Sequence, residues 1–406
     1  MKKNIVIIGT LDTKGKEFQF VKDIIESQGI STTVIDVGVV GEPYFTPDIT
    51  KEEVSSRCGV TIAELIGKKD RGYALDVMMR GCGEIVKELY ENKKLDGVIS
   101  LGGSGGTSVA TYAMRQLEVG VPKVMVSTLA SGDTTPYVGE KDITMMYSVV
   151  DISGVNRISS KIFSNAANAI VGMVKGEEIE LEEERPLIGA TMFGVTTEAV
   201  TKATEYLEDQ GFEVLIFHAT GSGGKAMEHL ISSGYIKGVL DLTTTELCDE
   251  LVGGVLSAGP DRLTAASKKG VPQVVSTGAM DMVNFGPIET VPDKFKNRKL
   301  YKHNATVTLM RTTVEENREL GKILAEKLNK SVGDTVLCLP LKGISAIDKE
   351  GQVFYGKEED EVLFESIRNH IDNKKVKLVE IDSHINDSNF ALYMAKTLTE
   401  LIDKNN

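Results

Sequence analysis

The sequence repeats itself, and that limits its fold more than any single motif does. Gly120-Val121-Pro122-Lys123-Val124 returns as Gly270-Val271-Pro272-Gln273-Val274, and Ser127-Thr128 as Ser276-Thr277. Gln28-Gly29 returns as Gln210-Gly211, and Gly97-Val98 as Gly238-Val239. Matched landmarks in one order imply a single plan used twice. The plan opens with an apolar run over Asn4–Gly9, then a helix with Phe18, Val21, Ile24 and Ile25 on one face, then a second run over Thr32–Val37. Strand, helix and strand in that succession make a parallel pair with a right-handed crossover. The expected fold is therefore α/β: two Rossmann-like, doubly wound domains with mostly parallel sheets, related by internal duplication. Their expected limits are 1–181 and 182–406, joined by the acidic run Glu177–Arg185. The first carries an insertion at about 38–94, arching over the ligand crevice, which the second copy mostly lacks. The second continues into a C-terminal extension, with a helix at Val314–Leu328 and strands at Thr306–Arg311, Thr335–Leu339 and Val376–Ile381.

The chemistry concentrates where strands end. A strand at Asp96–Leu101 runs into Gly102-Gly103-Ser104-Gly105-Gly106-Thr107, with a helix expected over Ser108–Leu117. Such a junction aims backbone N–H groups at one spot, and the helix dipole adds positive potential there. Four glycines around a serine exceed what a tight turn needs, which favours a phosphate-bearing ligand. The stretch is not a Walker A loop, because no Gly-Lys-Ser/Thr follows, and Ser108 stands where GxGxxG would place its third glycine. Lys14, in the loop Thr10–Lys14, either supplies the missing positive charge or is an exposed lysine at a helix start. Asp12 or Asp133 could hold Mg²⁺ beside phosphate oxygens; Asp12 and Thr13 read equally as helix caps. Asp133 belongs to a second small-residue loop, Ala130–Thr134. Arg71 and Arg80 on the insertion are phosphate contacts or plain surface arginines. Gly102–Gly106 also satisfies G-x-S-x-G, the nucleophile elbow of serine hydrolases, yet the first histidine of the chain is His218.

The copies diverge at these mouths. Thr243-Thr244-Thr245-Glu246 replaces the glycine stretch, and Gly221-Ser222-Gly223-Gly224-Lys225 stands beside His218. His218, Asp281, His303, Asn317, Lys342 and His384 fall near strand ends or helix starts. Together they suggest a second polar site in the domain cleft; singly, each reads as a structural residue. No two histidines stand at metal-ligand spacing. With 59 acidic against 46 basic residues and no basic run, nucleic acid and anionic membranes are not expected partners. The four cysteines show no CxxC spacing, which suits unpaired thiols in a cytoplasmic protein. The opening apolar run stops at Gly9, too short for a signal peptide, and no 18-residue apolar run offers a membrane span.

At these residues the chain resembles a known family: bacterial, fungal and plant proteins similar to the ATP-binding amino-terminal region of the tomato inhibitor of tobamovirus RNA replication. In the first half the resemblance rests on Gly9–Lys14, Leu101–Ser108, Ala130–Thr134 and Asp151–Asn156. In the second it rests on Gly270–Pro272, His303-Asn304, Arg311–Thr313, Leu339–Gly343 and His384–Asp387. It implies two Rossmann-like domains, ATP with Mg²⁺ on the first, and a homodimer. The biochemical activity of the family is unassigned, and antiviral inhibition belongs to its plant member. From the loops and the resemblance together, the expected cofactor contacts are Gly9, Thr10, Asp12, Thr13, Lys14, Gly102, Gly103, Ser104, Gly105, Gly106, Thr107, Ser131, Gly132 and Asp133, with Asp133 as metal candidate. The catalytic candidates are Asp281, His303, Lys342 and His384. The function expected is an ATP-dependent enzyme acting on a small metabolite in the interdomain cleft. The alternatives are a nucleotide-responsive binding module without catalysis and a serine hydrolase using Ser104.

Overall fold

The computed structural model describes residues 3–176 and 184–405; residues 177–183 of the expected linker lie outside the described residues. The chain splits into two compact units, Met1–Glu180 and Leu181–Asn406. Among the described residues no helix is long and apolar enough to cross a membrane.

The first unit runs β1 (Asn4–Gly9), α1 (Leu11–Ser27), β2 (Ser31–Asp36), α2 (Lys51–Ser56), α3 (Ile62–Lys68), α4 (Arg71–Glu91), β3 (Gly97–Gly102), α5 (Ser104–Arg115), β4 (Lys123–Ser127), α6 (Thr135–Val138), β5 (Thr144–Tyr147) and α7 (Ser159–Lys175). Its strands form one parallel sheet in the order β2-β1-β3-β4-β5. Alternate residues of β1 serve the two faces, as strand geometry requires. Val6 and Ile8 pack with Met78 and Cys82 of α4 and Val109 and Met114 of α5. Ile5 and Ile7 pack with Phe18 and Val21 of α1 and Phe163 and Ile170 of α7. A sheet covered on both sides by helices is the doubly wound arrangement.

The second unit runs β6 (Leu187–Met192), α8 (Thr197–Asp209), β7 (Glu213–His218), α9 (Ser222–Ser232), β8 (Ile236–Thr243), α10 (Glu246–Val252), α11 (Ala265–Lys269), β9 (Gln273–Gly278), β10 (Met282–Phe285), β11 (Leu300–Lys302), β12 (Thr308–Arg311), α12 (Val314–Leu328), β13 (Thr335–Pro340), α13 (Lys357–His370), β14 (Val376–Ile381) and α14 (Ser388–Asn405). From its β7 edge the main parallel sheet reads β7-β6-β8-β9-β13-β14. That is the order of the first unit with one strand added. A separate antiparallel sheet, β10-β12-β11, lies outside the repeated plan.

Three local expectations change. The piece taken as an insertion at 38–94 includes the crossover helix itself, because α4 shares a core with α5 and β1. What the second copy lacks is the stretch from Gly38 to Asp70, with α2 and α3. The helix after the glycines begins at Ser104 instead of Ser108, so Gly105 and Gly106 belong to its first turn. The alternating run Asp142–Ile152 predicts a further strand, of which only β5 forms.

Candidate functional site

In an order such as β2-β1-β3-β4-β5 the chain leaves β1 and β3 in opposite directions, which opens a crevice at their carboxyl ends. A cavity of about 770 Å³ lies there in the first unit. One wall is Thr10, Asp12, Thr13 and Lys14 after β1, and another is Val37–Val40 after β2. The floor is Gly103, Ser104, Gly105 and Gly106, and the far side is apolar, with Leu65, Ile66, Leu75, Met78 and Val109. Capping sets that far side in place. Thr61 and Glu64 form a reciprocal box at the start of α3, and Asp70 accepts the Tyr73 N–H at 3.0 Å at the start of α4.

The floor is the start of α5, whose first N–H groups have no partner within the helix. No side chain caps it among the described residues. Its glycines divide by what a Cβ would meet. On Gly102 it would press on the Gly106 backbone at 2.9 Å, and on Gly9 on the Phe18 ring at 2.5 Å. Both glycines are buried packing requirements, and neither lines the cavity. On Gly103 the nearest atom is 3.8 Å away, on Gly105 3.5 Å and on Gly106 3.6 Å. Packing does not demand glycine at these three, and they face the cavity. Cations approach from two sides. Arg71 stands 3.8 Å from the Cβ position of Gly105, and Lys14 lines the opposite wall while donating to the Ile152 carbonyl. Lys69 joins them at the end of α3. Arg80 lies outside the lining and pairs with Asp76 at 2.9 Å on the exposed face of α4.

The carboxylates are largely engaged. Asp12 Oδ2 accepts N–H groups of Val40 and Gly41 at 3.3 and 3.2 Å, while Oδ1 is buried without a hydrogen-bond partner. Asp36, the last residue of β2, accepts N–H groups of Leu11 and Gly38 at 3.1 and 2.9 Å. Burial pushes its carboxyl up, against the lowering pull of those two amides. The start of α1 is thus capped from within, whereas the start of α5 is open. Thr107 is buried, with its Oγ1 2.7 Å from Ser127 Oγ. Ser131, Gly132 and Asp133 are exposed and outside the lining. The Thr135 side chain, and with it the Thr135 N–H at 3.0 Å, donates to Asp133 and holds its carboxyl below the usual range, so it serves the start of α6 and not a metal in this cavity. Ser104 has no positive φ, unlike the strained nucleophile of an elbow, and all five histidines of the chain lie beyond the first unit.

The matched mouth of the second unit is filled. Counting from the paired glycines Gly97 and Gly238, Glu246 stands where Gly105 stands. Its carboxylate accepts N–H groups of Gly221 and Gly224 at 2.7 and 3.1 Å at the start of α9. Behind it, buried Arg262 donates to Glu246 at 2.5 Å and to both oxygens of Asp241 at 2.5 and 2.6 Å. Burial raises the Glu246 carboxyl, opposed chiefly by the Arg262 charge. The second unit thus carries its own anion at a position that is glycine in the first, held on the start of α9, while the start of α10 has no side-chain cap either among the described residues. Periodicity cannot show this, but aligning the two halves on Gly97 and Gly238 does.

The catalytic candidates of the second unit do not converge on a cavity. His218 and His303 are exposed, and Lys342 is exposed and paired with Asp382 at 2.8 Å. His384 is buried; its Nδ1 accepts the Asn386 N–H at 3.1 Å, so Nε2 carries the proton and donates to the Ser345 carbonyl at 2.8 Å. Ser345 Oγ donates to Asp281 at 2.8 Å. Buried Asn317 donates to Thr312 at 2.9 Å. Arg311, which the sequence marks only through the resemblance and gives no role, stands beside them and contacts Asp348 at 3.5 Å and Asp360 at 2.7 Å. Burial and the Asp348 charge push Asp281 up to about 7, and Asp360 up to about 8. These groups tie β10 and β12 to α13 and to the loop after β13.

Residues 3–179 match the N-terminal domain, and residues 185–402 the C-terminal domain, of a family described as Uncharacterised protein family (UPF0261). A UPF0261 protein of Clostridium tetani is 66% identical over 404 residues, covering 100% of both chains. The ToMV resistance protein Tm-1 of Solanum lycopersicum is 40% identical over 426 residues, covering 98% of this chain and 56% of that protein. Among solved structures, a putative UDP-N-acetylglucosamine 2-epimerase from Listeria monocytogenes covers 68% of this chain and 79% of its own, at 10% identity and a TM-score of 0.25, which is too low to bear on function. The chain belongs to the uncharacterised protein family UPF0261.

Proposed function

We propose that the first unit binds a nucleoside triphosphate, ATP with Mg²⁺, with the phosphates on the first turn of α5 and the base against the Leu65–Leu75 wall. The observation that carries this reading is the uncapped start of α5, opening through Gly103, Gly105 and Gly106 onto the 770 Å³ cavity, with glycine at the position that buried Glu246 holds in the second unit. The donor set fits a phosphate chain: first-turn amides, the Arg71 guanidinium and the Lys14 ammonium. Asp12 is the lining carboxylate with a buried oxygen left without a hydrogen-bond partner, and a turn of its side chain would bring that Oδ1 out to Mg²⁺. When bound, the metal neutralises phosphate charge.

The lining favours binding without turnover. It holds no histidine, Asp70 accepts the Tyr73 N–H, and the one oxygen of Asp12 without a hydrogen bond is, on this reading, given to the metal. The lining thereby offers no imidazole and no carboxylate free of both amide and metal, which suits a nucleotide-responsive module better than an ATP-dependent enzyme. Calorimetry with ATP and Mg²⁺ on the native chain and on Gly103→Asp tests the cradle, and product analysis tests the module. The expected result is binding by the native chain, loss in the variant, and no release of ADP or AMP. Equal affinities would remove the cradle; sustained ADP release would restore the enzyme.

A further inference from the structure

With phosphates on α5, the rest of a ligand has to lie along the other walls, where the α3–α4 side offers Lys69, Asp70, which already accepts the Tyr73 N–H at 3.0 Å, and otherwise apolar contact. The helical wall presents Leu65, Ile66, Leu75 and Met78. Backbone amides there are taken: Leu65 donates to Thr61 O at 3.2 Å, Lys69 to Ile66 O at 3.3 Å and Ala74 to Asp70 O at 3.0 Å. The loop after β2 is occupied in the same way. Val37 N–H donates to Gly9 O at 2.8 Å, Gly38 N–H to Asp36 at 2.9 Å, and Val40 and Gly41 N–H to Asp12.

In dinucleotide-binding folds an acid near the end of the second strand reads the ribose hydroxyls. Asp36 holds that place, but it is 1% exposed, and its Oδ1 ties Leu11 to Gly38. It is a strut between β2 and α1, buried and outside the cavity lining.

We infer that the site, on the nucleotide reading above, holds its ligand by phosphate and by apolar contact alone and reads neither the base nor the ribose 2′-hydroxyl. The ligand class is then nucleoside triphosphates irrespective of base. A pocket built to hydrogen-bond a polar group rejects analogues lacking it by about 10⁴-fold or more, whereas apolar pockets separate close analogues by roughly 10- to 200-fold.

The test is calorimetry on the full chain with ATP, GTP, 2′-deoxyATP and inorganic tripolyphosphate, each with Mg²⁺. The native protein is compared with Leu75→Asn, at a half-buried wall position where a polar side chain can be accommodated. The three nucleotides are expected to bind within about tenfold of one another, and tripolyphosphate more weakly. Leu75→Asn weakens the nucleotides to a common extent and leaves tripolyphosphate unchanged. A preference above about a hundredfold for one base or for the 2′-hydroxyl overturns the inference and leaves the phosphate cradle standing. Tripolyphosphate binding as tightly as ATP also overturns it, since the wall then contributes nothing. Failure of all four compounds to bind overturns the phosphate reading itself.

Discussion

Gly105 and Glu246 stand at matched positions of the two units, each eight residues past its paired glycine, and Gly105→Glu copies the closed mouth into the open one. A Cβ on Gly105 meets Leu75 Cδ1 at 3.5 Å and Arg71 Nη2 at 3.8 Å, both ordinary contacts, so the new side chain enters without displacing backbone. In the first turn of α5, glutamate gains about 0.5–1 kcal/mol over glycine in helix propensity. Its charge adds about 0.3–1 kcal/mol at a helix start. The variant should therefore melt no lower than the native chain. For a phosphate ligand the same carboxylate opposes each nearby negative charge by about 4 kcal/mol at 4 Å and an effective dielectric constant of 20, and it also competes for Arg71. Screening through the open side of the cavity lowers this, leaving an expected loss of at least about a hundredfold in ATP affinity. Thermal unfolding and calorimetry on one preparation read both effects. A variant of native stability that binds ATP with native affinity would refute the reasoning, because the anion would then lie elsewhere.

Three further outcomes follow from the geometry. Glu246→Gln keeps the size of the side chain but leaves Arg262 short of a buried partner charge, so chemical denaturation should show a loss of about 3–5 kcal/mol in the second unit; a change below 1 kcal/mol would mean that Asp241 suffices. Asp281 and Asp249, pushed up to about 7, and Asp360, at about 8, bind protons in the folded state that the unfolded chain releases near pH 4. Stability of the second unit should therefore fall as pH rises from 5 to 8, by up to about 1.4 kcal/mol per pH unit for each such proton, and level off above. Asp360→Asn should flatten that slope, and a native profile in the variant would contradict the assignment. Gly9→Ala places a methyl 2.5 Å from Phe18 and should cost about 1–3 kcal/mol by overpacking, whereas Gly106→Ala, with 3.6 Å to its nearest neighbour, should leave the melting temperature near native.

The duplication, the parallel order and the helix at Val314–Leu328 were legible because apolar periodicity and repeated strand-end landmarks are local signals. Residues that act across the fold were not. Asp36 and Asp133 have the composition of ligand-site acids, yet both serve backbone amides, and only the approach of Gly38 or Thr135 reveals it. The start of α5 was displaced to Ser108 because glycines weaken a helical pattern even where the first turn tolerates them. α4 is hidden inside an apparent insertion because the added helices α2 and α3 precede it, separated from it and from each other only by short turns. The Arg311 and Arg262 networks join residues far apart in sequence, and no spacing rule connects them.

The most direct measurement is a crystal structure of the full chain grown with saturating ATP and Mg²⁺. Phosphate density within hydrogen-bonding distance of the Ser104, Gly105 and Gly106 amides, with Arg71 and Lys14 turned toward it, is the predicted result. Clear nucleotide density at any other place, or an unliganded α5 start at saturation, would contradict it.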